Sequence, residues 1–430
     1  MWWMMWAGLV YAGAADRAVE RCEAGKTKFC AAAAKALYAG DGIQPDVRLA
    51  YQLGIKGCDA GHLEACKVAA SKMVDLNDGS DDRLRTALQD ACDEADQTAC
   101  RYLGAILISG YAGPDRALGA KIAAETCEAG IPDACFDRAL ALRDGLGVDV
   151  DIPSAAELFA QQCDTVDHPA SCNNLGFLYD MGKGVVQDRV RAVELYTKSC
   201  DVGSKMACRN LALSYRDGEG TEVDLDRAAS LFTKACEMGE PKACTFGARM
   251  YYRDGSIGGT EEMARELLEQ GCWWGSTNAC VELGVLHEHG RGGDEDKEQA
   301  FALYQQACED GDGRGCLYLG YCHEKGLGVE ADELMATRAF EKGCDNDNGT
   351  ACFRAGVAYE YEHGVTMDME RARGYYSHGC LEEHSTACRN LGVMYRKGVT
   401  VEADPAAALS IYERACRLGE EKACEYADNF

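Results

Sequence analysis

Between Cys163 and Cys236 the chain writes one pattern of apolar and polar positions twice, and the same pattern continues on both sides. Ala228, Leu231, Phe232 and Ala235 recur at i, i+3, i+4 and i+7, which puts them on one face of a helix and leaves the other face to solvent. A second amphipathic stretch runs from just after each second cysteine through a Leu-Gly-x-x-Tyr segment. It stops at a glycine-bearing turn such as Asp217-Gly218-Glu219-Gly220. The next helix opens at an aspartate or a neighbouring proline, as in Val223-Asp224-Leu225-Asp226 or Asp404-Pro405, residues that suit a helix N-terminus. The pattern therefore predicts pairs of helices joined by short turns.

The pairs recur. CDVGSKMACRNLALSYRDGEGTEVDLDRAASLFTKAC aligns with CLEEHSTACRNLGVMYRKGVTVEADPAAALSIYERAC, and the first cysteines of successive units are separated by 36, 34, 35, 36, 37 and then 36 residues throughout. A period in the mid-thirties marks a solenoid of helical pairs, so length alone is a poor guide to domain number here. Gly176, Gly284, Gly320 and Gly392 share one slot in the first helix, where glycine costs about 1 kcal/mol relative to alanine; close backbone approach is the expected reason. Ala192, Ala228, Ala300 and Ala372 share a slot in the second helix. Tyr179, Tyr215, Tyr359 and Tyr395 recur near the end of the first helix and are read as packing residues. The turns Leu76-Asn77-Asp78-Gly79, Ile108-Ser109-Gly110 and Gly255-Ser256-Ile257-Gly258-Gly259 depart from the common glycine pattern.

Cysteine sharpens this picture. Of 25 cysteines, 24 form close pairs: Cys22 with Cys30, Cys58 with Cys66, Cys92 with Cys100, Cys127 with Cys135, Cys163 with Cys172, Cys200 with Cys208, Cys236 with Cys244, Cys272 with Cys280, Cys308 with Cys316, Cys344 with Cys352, Cys380 with Cys388 and Cys416 with Cys424. Only Cys163 and Cys172 depart from a spacing of eight, and Cys322 is left over in a slot that other units fill with Leu178 or Met394, which reads it as a buried apolar substitute. Along one continuous helix, residues eight apart lie about 12 Å from each other, whereas a disulfide needs α-carbons about 4.4–6.8 Å apart. The chain must therefore reverse between the two cysteines, and Gly25, Gly61, Gly130, Gly203, Gly239, Gly275, Gly311 and Gly419 supply the turn. Each bridge is expected to staple the end of one unit's second helix to the start of the next unit's first helix. Zinc is the rival reading of the pairs, but structural zinc takes a short Cys-x2-4-Cys hook that is missing here.

Such regular pairing argues for an oxidising compartment. The apolar start MWWMMWAGLVYAGA, ending in Ala12-Gly13-Ala14, resembles a signal peptide or its remnant over residues 1–14, although no Lys or Arg precedes it. A short anchor or a packed helix is the alternative. The expected domain organisation is this segment followed by a single solenoid over 15–430. With 71 acidic against 44 basic residues the net charge is -27, which disfavours nucleic acid and anionic membrane surfaces as partners.

The pattern A-C-x-N-L-G-x-x-Y-x-x-G-x-G-V followed by D-x-x-R-A-x-x-L-Y-x-x-A-C resembles the Sel-one-like repeats, relatives of the tetratricopeptide repeats, over residues 22–430. A cysteine pair in every unit resembles the cysteine-rich Hcp (beta-lactamase-like) subfamily of secreted bacterial proteins. The resemblance implies an all-α, right-handed alpha-alpha superhelical solenoid of about eleven to twelve helix-turn-helix repeats with one disulfide per repeat. It also implies a protein or peptide ligand on the concave face formed by the first helices. Asn174, Asn210, Asn390, Arg101, Arg209 and Arg389, one or two positions after the second cysteine, are the candidate peptide-binding residues; helix capping and bonds between repeats are the alternative use of the same side chains.

The beta-lactamase label calls for a search for chemistry. No serine has a lysine three residues on, and SDN, KTG, G-x-S-x-G and HExxH are all missing. His287-Glu288-His289 and His323-Glu324 lie at the end of a first helix and are read as packing or surface residues rather than a metal site. No catalytic residue, cofactor or metal is therefore assigned. Trp273-Trp274 follows Cys272 directly, and adjacent indoles in a turn cannot both enter one core stripe, so one is expected at the surface. The leading expectation is an exported, monomeric, disulfide-stabilised scaffold that binds protein partners, secreted or periplasmic in a bacterium. The alternatives are a beta-lactamase, penicillin-binding or cell-wall peptide hydrolase activity of the Hcp type, and an assembly factor of the mitochondrial intermembrane space.

Overall fold

A computed structural model describes residues 16–39, 47–76, 82–109, 115–252 and 260–429. The signal-like segment 1–14 and the three atypical turns, at 77–81, 110–114 and 253–259, lie outside the described residues. Among the described residues the regular structure is entirely helical. The chain forms two compact units, Met1–Leu231 and Phe232–Phe430, with the boundary inside a helix.

The first unit holds α1 (16–23), a 3-10 turn at Thr27–Phe29, α2 (Cys30–Ala39), α3 (Val47–Asp59), α4 (Leu63–Leu76), α5 (Asp82–Asp93), α6 (Gln97–Ser109), α7 (Arg116–Glu128), α8 (Pro132–Asp144), α9 (Ile152–Val166), α10 (Pro169–Met181), α11 (Arg189–Asp201), α12 (Lys205–Asp217) and the start of α13 (Leu225–Glu237). The second holds the rest of α13, then α14 (Pro241–Tyr252), α15 (Glu261–Trp273), α16 (Thr277–Glu288), α17 (Lys297–Glu309), α18 (Gly313–Lys325), α19 (Glu333–Asp345), α20 (Gly349–Tyr361), α21 (Met369–Leu381), α22 (Ser385–Lys397), α23 (Pro405–Arg417) and α24 (Glu421–Asp428). Even-numbered helices are the first helices of the repeats and odd-numbered ones the second. Within each unit successive helices pack on one another, so the core is a row of small clusters instead of one centre.

The second helices start where an acidic side chain can cap them. Asp188, Asp296, Asp332 and Asp404 each accept a hydrogen bond from the backbone N–H three residues on, at 2.8–2.9 Å. Such a bond satisfies a donor that the helix leaves unpaired and is worth about 1 kcal/mol. The first helices use Ser204, Ser276, Asp312 and Asn348 in the same way. Two use histidine instead: His168 accepts from the Ser171 N–H and His384 from the Ala387 N–H through Nδ1.

The mid-helix glycines serve a different purpose from the expected one. At Gly176, Gly284 and Gly392 the neighbour is an aromatic ring of the following second helix, and a β-carbon would stand 2.6–2.8 Å from the nearest ring carbon of Tyr196, Tyr304 or Tyr412. At Gly320 the ring of Phe340 takes that place. The slot admits a ring, not a backbone. True backbone approach occurs in α6 and α7, where a β-carbon on Gly119 would lie 2.8 Å from the Ile108 nitrogen. The alanines Ala192, Ala228, Ala300 and Ala372 are buried, and Tyr215 and Tyr359 are buried in their packing slots.

Candidate functional site: the disulfide edge and the first-helix face

Each junction between repeats is a second helix, a reversal and the next first helix. Cys200 lies in the last turn of α11 and Cys208 in the first turn of α12, and their α-carbons are 4.7 Å apart. The other junctions close in the same way. In the first unit Cys22 is bonded to Cys30, Cys58 to Cys66, Cys92 to Cys100, Cys127 to Cys135 and Cys163 to Cys172. In the second unit Cys236 is bonded to Cys244, Cys272 to Cys280, Cys308 to Cys316, Cys344 to Cys352, Cys380 to Cys388 and Cys416 to Cys424. All twelve bridges join adjacent helices, with α-carbons 4.4–4.9 Å apart.

The reversal depends on one left-handed residue. Gly203 has φ +97°, its N–H donates to the Cys200 carbonyl at 3.1 Å, and the Ser204 N–H donates to the Ser199 carbonyl at 3.0 Å. This pair of bonds ends the helix and points the chain back. Ala95, Asp167, Asp347 and Glu383 fill the same place with φ between +50° and +67°, where a β-carbon costs energy that glycine avoids. Cys322, in α18, is the one cysteine outside a bridge, and it is buried. Burial pushes its thiol up to about 12.

The turns between first and second helices hold a contact that pattern reading missed. A β-carbon on Gly220 would fall on the Arg189 carbonyl at the start of the preceding second helix, and Gly147, Gly292 and Gly328 meet Arg116, Glu261 and Lys297 in the same way. The second glycine of each G-x-G turn thus lets one repeat sit against the backbone of the last. The sequence signal was the repeated G-x-G spacing itself; only the three-dimensional register shows which glycine touches what.

The even helices carry a lateral ladder of polar groups. Within the first unit, Arg143 donates to Asn174 Oδ1, while Asn174 Nδ2 donates to the Ala170 carbonyl at 2.8 Å. Asn210 Nδ2 donates to Asn173 Oδ1 at 2.9 Å, and Arg209 donates to Asn210 Oδ1 at 3.2 Å. Arg101 lies 3.3 Å from Asp137 and 3.9 Å from Asp133, and His168 Nε2 lies 3.2 Å from Asp133. Burial raises Asp137 to about 6, against the opposing pull of the Arg101 guanidinium. Asp133 is held below the usual carboxylate range by its hydrogen bond with His168.

The second unit repeats the ladder with other chemistry. The buried Glu282 carboxylate accepts from Arg249 Nε at 2.9 Å, from Arg249 Nη2 and from the Tyr252 hydroxyl at 2.6 Å. Arg354 donates to Glu324 and stacks over Tyr321 and Phe340. Asn390 hydrogen-bonds the Tyr376 hydroxyl, and Arg389 Nε lies 3.7 Å from Glu420. The six candidate Asn and Arg residues therefore all stand on first helices, each tied to a neighbouring side chain or to its own helix. The additional members, Asp137, Glu282 and Arg354, occupy the same register two residues after the second cysteine, but their varied residue types concealed it.

The remaining candidates fall into place. His287 and His323 are buried, and burial lowers both from the usual histidine range; His287 Nδ1 faces Arg265 at 3.0 Å and His323 meets Phe301 edge-on. Trp274 packs over Gly239 of the preceding junction, while Trp273 stays 42% exposed.

Helix pairs locked by one disulfide at every junction define a disulfide-stapled α-solenoid repeat protein. A family model described as the Sel1 repeat matches residues 28–62, 132–163, 169–204, 205–240, 277–312, 313–348, 349–380 and 385–420, and the chain belongs to that family. Among solved structures it is similar to c5321, a protective antigen present in uropathogenic Escherichia coli strains, with 22% identity, a TM-score of 0.55 and coverage of 96% of this chain and 89% of that one. It is also similar to a Sel1 repeat protein from Oxalobacter formigenes, with 22% identity, a TM-score of 0.55 and coverage of 80% and 89%. Helicobacter pylori cysteine rich protein B matches at 33% identity over 30% of this chain and 93% of its own, with a TM-score of 0.26. A search of curated protein sequences finds no match.

Proposed function

We propose that the chain is an exported scaffold that holds a protein or peptide partner along its first-helix face. The observation that carries this reading is the ladder: in six repeats a polar side chain, Asp137, Asn174, Asn210, Glu282, Arg354 or Asn390, stands two residues after the second cysteine and is tied to a neighbouring side chain or to its own helix. Side chains ordered before binding lose little entropy when a ligand arrives, so such a row offers affinity at low cost. The candidates Asn174, Asn210, Asn390, Arg101, Arg209 and Arg389 would meet the partner's main chain or terminal carboxylate, and Trp273 adds an exposed aromatic contact at the junction edge.

Twelve disulfides support a secreted or periplasmic setting, because a reducing cytosol would leave those sulfurs as thiols. Among the described residues no helix is long and apolar enough to cross a membrane. Nothing among the described residues favours the hydrolase reading.

Peptide-library selection on the immobilised, oxidised chain tests the proposal. Enriched peptides should bind the native chain and lose about tenfold or more in affinity, roughly 1.4 kcal/mol, with Asn210→Ala or Asn390→Ala. No enrichment, or equal binding by both variants, contradicts it.

A further inference from the structure

We infer that His378, Asp347 and Glu382 form a site for one zinc ion that bridges two successive disulfide junctions of the second unit. Their donor atoms all lie within 4.8 Å of one another. His378 and Glu382 are four residues apart at the end of α21, so they share a face one turn apart. Asp347 comes from the preceding junction, where it is the left-handed residue that reverses the chain after Cys344.

The imidazole is oriented for the task. Its Nδ1 faces Cys344 Sγ at 3.4 Å, which turns Nε2 outward to within 3.6 Å of Asp347 Oδ1. A ring nitrogen fixed on one side presents a defined lone pair on the other. His378 is half-buried at 38% side-chain exposure, with room for water as a further ligand.

In five other repeats the corresponding place holds a cation, Lys56, Lys198, Lys234, Lys342 or Arg414, while the remaining six have Glu20, Asp90, Glu125, Gln161, Gln270 or Gln306 there. Lys198 stands two residues before Cys200, as His378 does before Cys380. Its ammonium lies 2.9 Å from Asp167 and 3.9 Å from Asp164 and donates to the Cys163 carbonyl at 2.7 Å. Lys56 and Arg414, in the same place, donate to the Glu23 and Leu381 carbonyls. Each of these three cations reaches the C-terminal end of the previous second helix, where the helix dipole and the junction carboxylates concentrate negative charge. At the junction closed by Cys344 and Cys352 an imidazole stands in this place, and a metal ion held by its lone pair would supply beside Asp347 the positive charge that Lys198 brings to Asp167. One imidazole and two carboxylates suit zinc, which takes nitrogen at about 2.0–2.1 Å and oxygen at about 2.0–2.2 Å with water completing the shell. The disulfide stays intact and no redox step is involved.

Calorimetric titration of the oxidised full chain with zinc chloride, after chelator treatment and dialysis, tests the site. One saturable equivalent is expected, with a zinc-dependent rise in melting temperature. His378→Gln and Asp347→Asn should each weaken binding tenfold or more. His378→Lys should abolish zinc binding while keeping the metal-free melting temperature, since its ammonium takes the place that Lys198 occupies elsewhere. The absence of a saturable site in the native chain, or an isotherm unchanged in His378→Gln, overturns the inference; the second result would assign the heat to scattered surface carboxylates.

Discussion

The ring of Tyr304 lies against Gly284, so that a β-carbon on the glycine would stand 2.6 Å from Tyr304 Cε1. Tyr304 is fully buried and its hydroxyl donates to Glu288 at 2.9 Å, so the ring has little freedom to retreat. Gly284→Ala is expected to destabilise the second unit by about 1–3 kcal/mol through overpacking, despite alanine's better helix propensity. Gly374→Ala is the control. Nothing lies within 4 Å of a β-carbon built there, so that variant should gain up to about 1 kcal/mol. Chemical denaturation of both variants checks the contrast.

The left-handed junction residue gives a second expectation. Glu383 holds φ +59° where most junctions have glycine, and Glu383→Gly should stabilise the chain by about 1 kcal/mol. Gly203→Ala, at φ +97°, should cost at least as much, because nothing in its surroundings relieves the strained backbone. Equal stability of both variants and the native chain would contradict the role assigned to these residues.

Asp137 predicts a pH dependence with a definite sign. Burial raises its folded value to about 6, so the folded chain holds this proton more tightly than the unfolded chain. The associated stability is fully present below about pH 4 and is lost as pH rises through about 6. Asp137→Asn keeps the side chain neutral throughout. The variant should come closest to the native chain near pH 3.5 and exceed it by about 1–3 kcal/mol above pH 7, as read by denaturant titration at the two pH values.

Much of this architecture was legible in the residues. The helix pairs follow from apolar spacing, and the aspartate starts from local capping chemistry. The disulfide pairing follows because a spacing of eight can close only across a reversal. What stayed hidden depends on register between distant segments. Nothing local says that Gly284 faces a tyrosine ring or that Gly220 touches the Arg189 carbonyl. The histidine caps at His168 and His384 escaped notice because histidine is an unusual cap, and His384 is further held by stacking on Phe353. The ladder was only half visible, since its Asn members repeat while Asp137, Glu282 and Arg354 share a position without sharing a residue type.

Cys322 should behave as a buried thiol. With its thiol pushed up to about 12, a soluble alkylating reagent near pH 8 is expected to leave the native chain unmodified. Denaturation without reductant should expose a single reactive equivalent. Rapid native-state labelling would mean that the cysteine is more open than its packing in α18 allows.

The central claim is that every junction is locked by a local bridge, each worth on the order of 2–3 kcal/mol in the chain-entropy account. Mass spectrometry of peptides from the non-reduced chain tests it most directly. The account predicts twelve linkages, eleven spanning eight residues and that from Cys163 to Cys172 spanning nine, with a free thiol at Cys322. Bridges between different junctions, or a majority of free thiols, would contradict it.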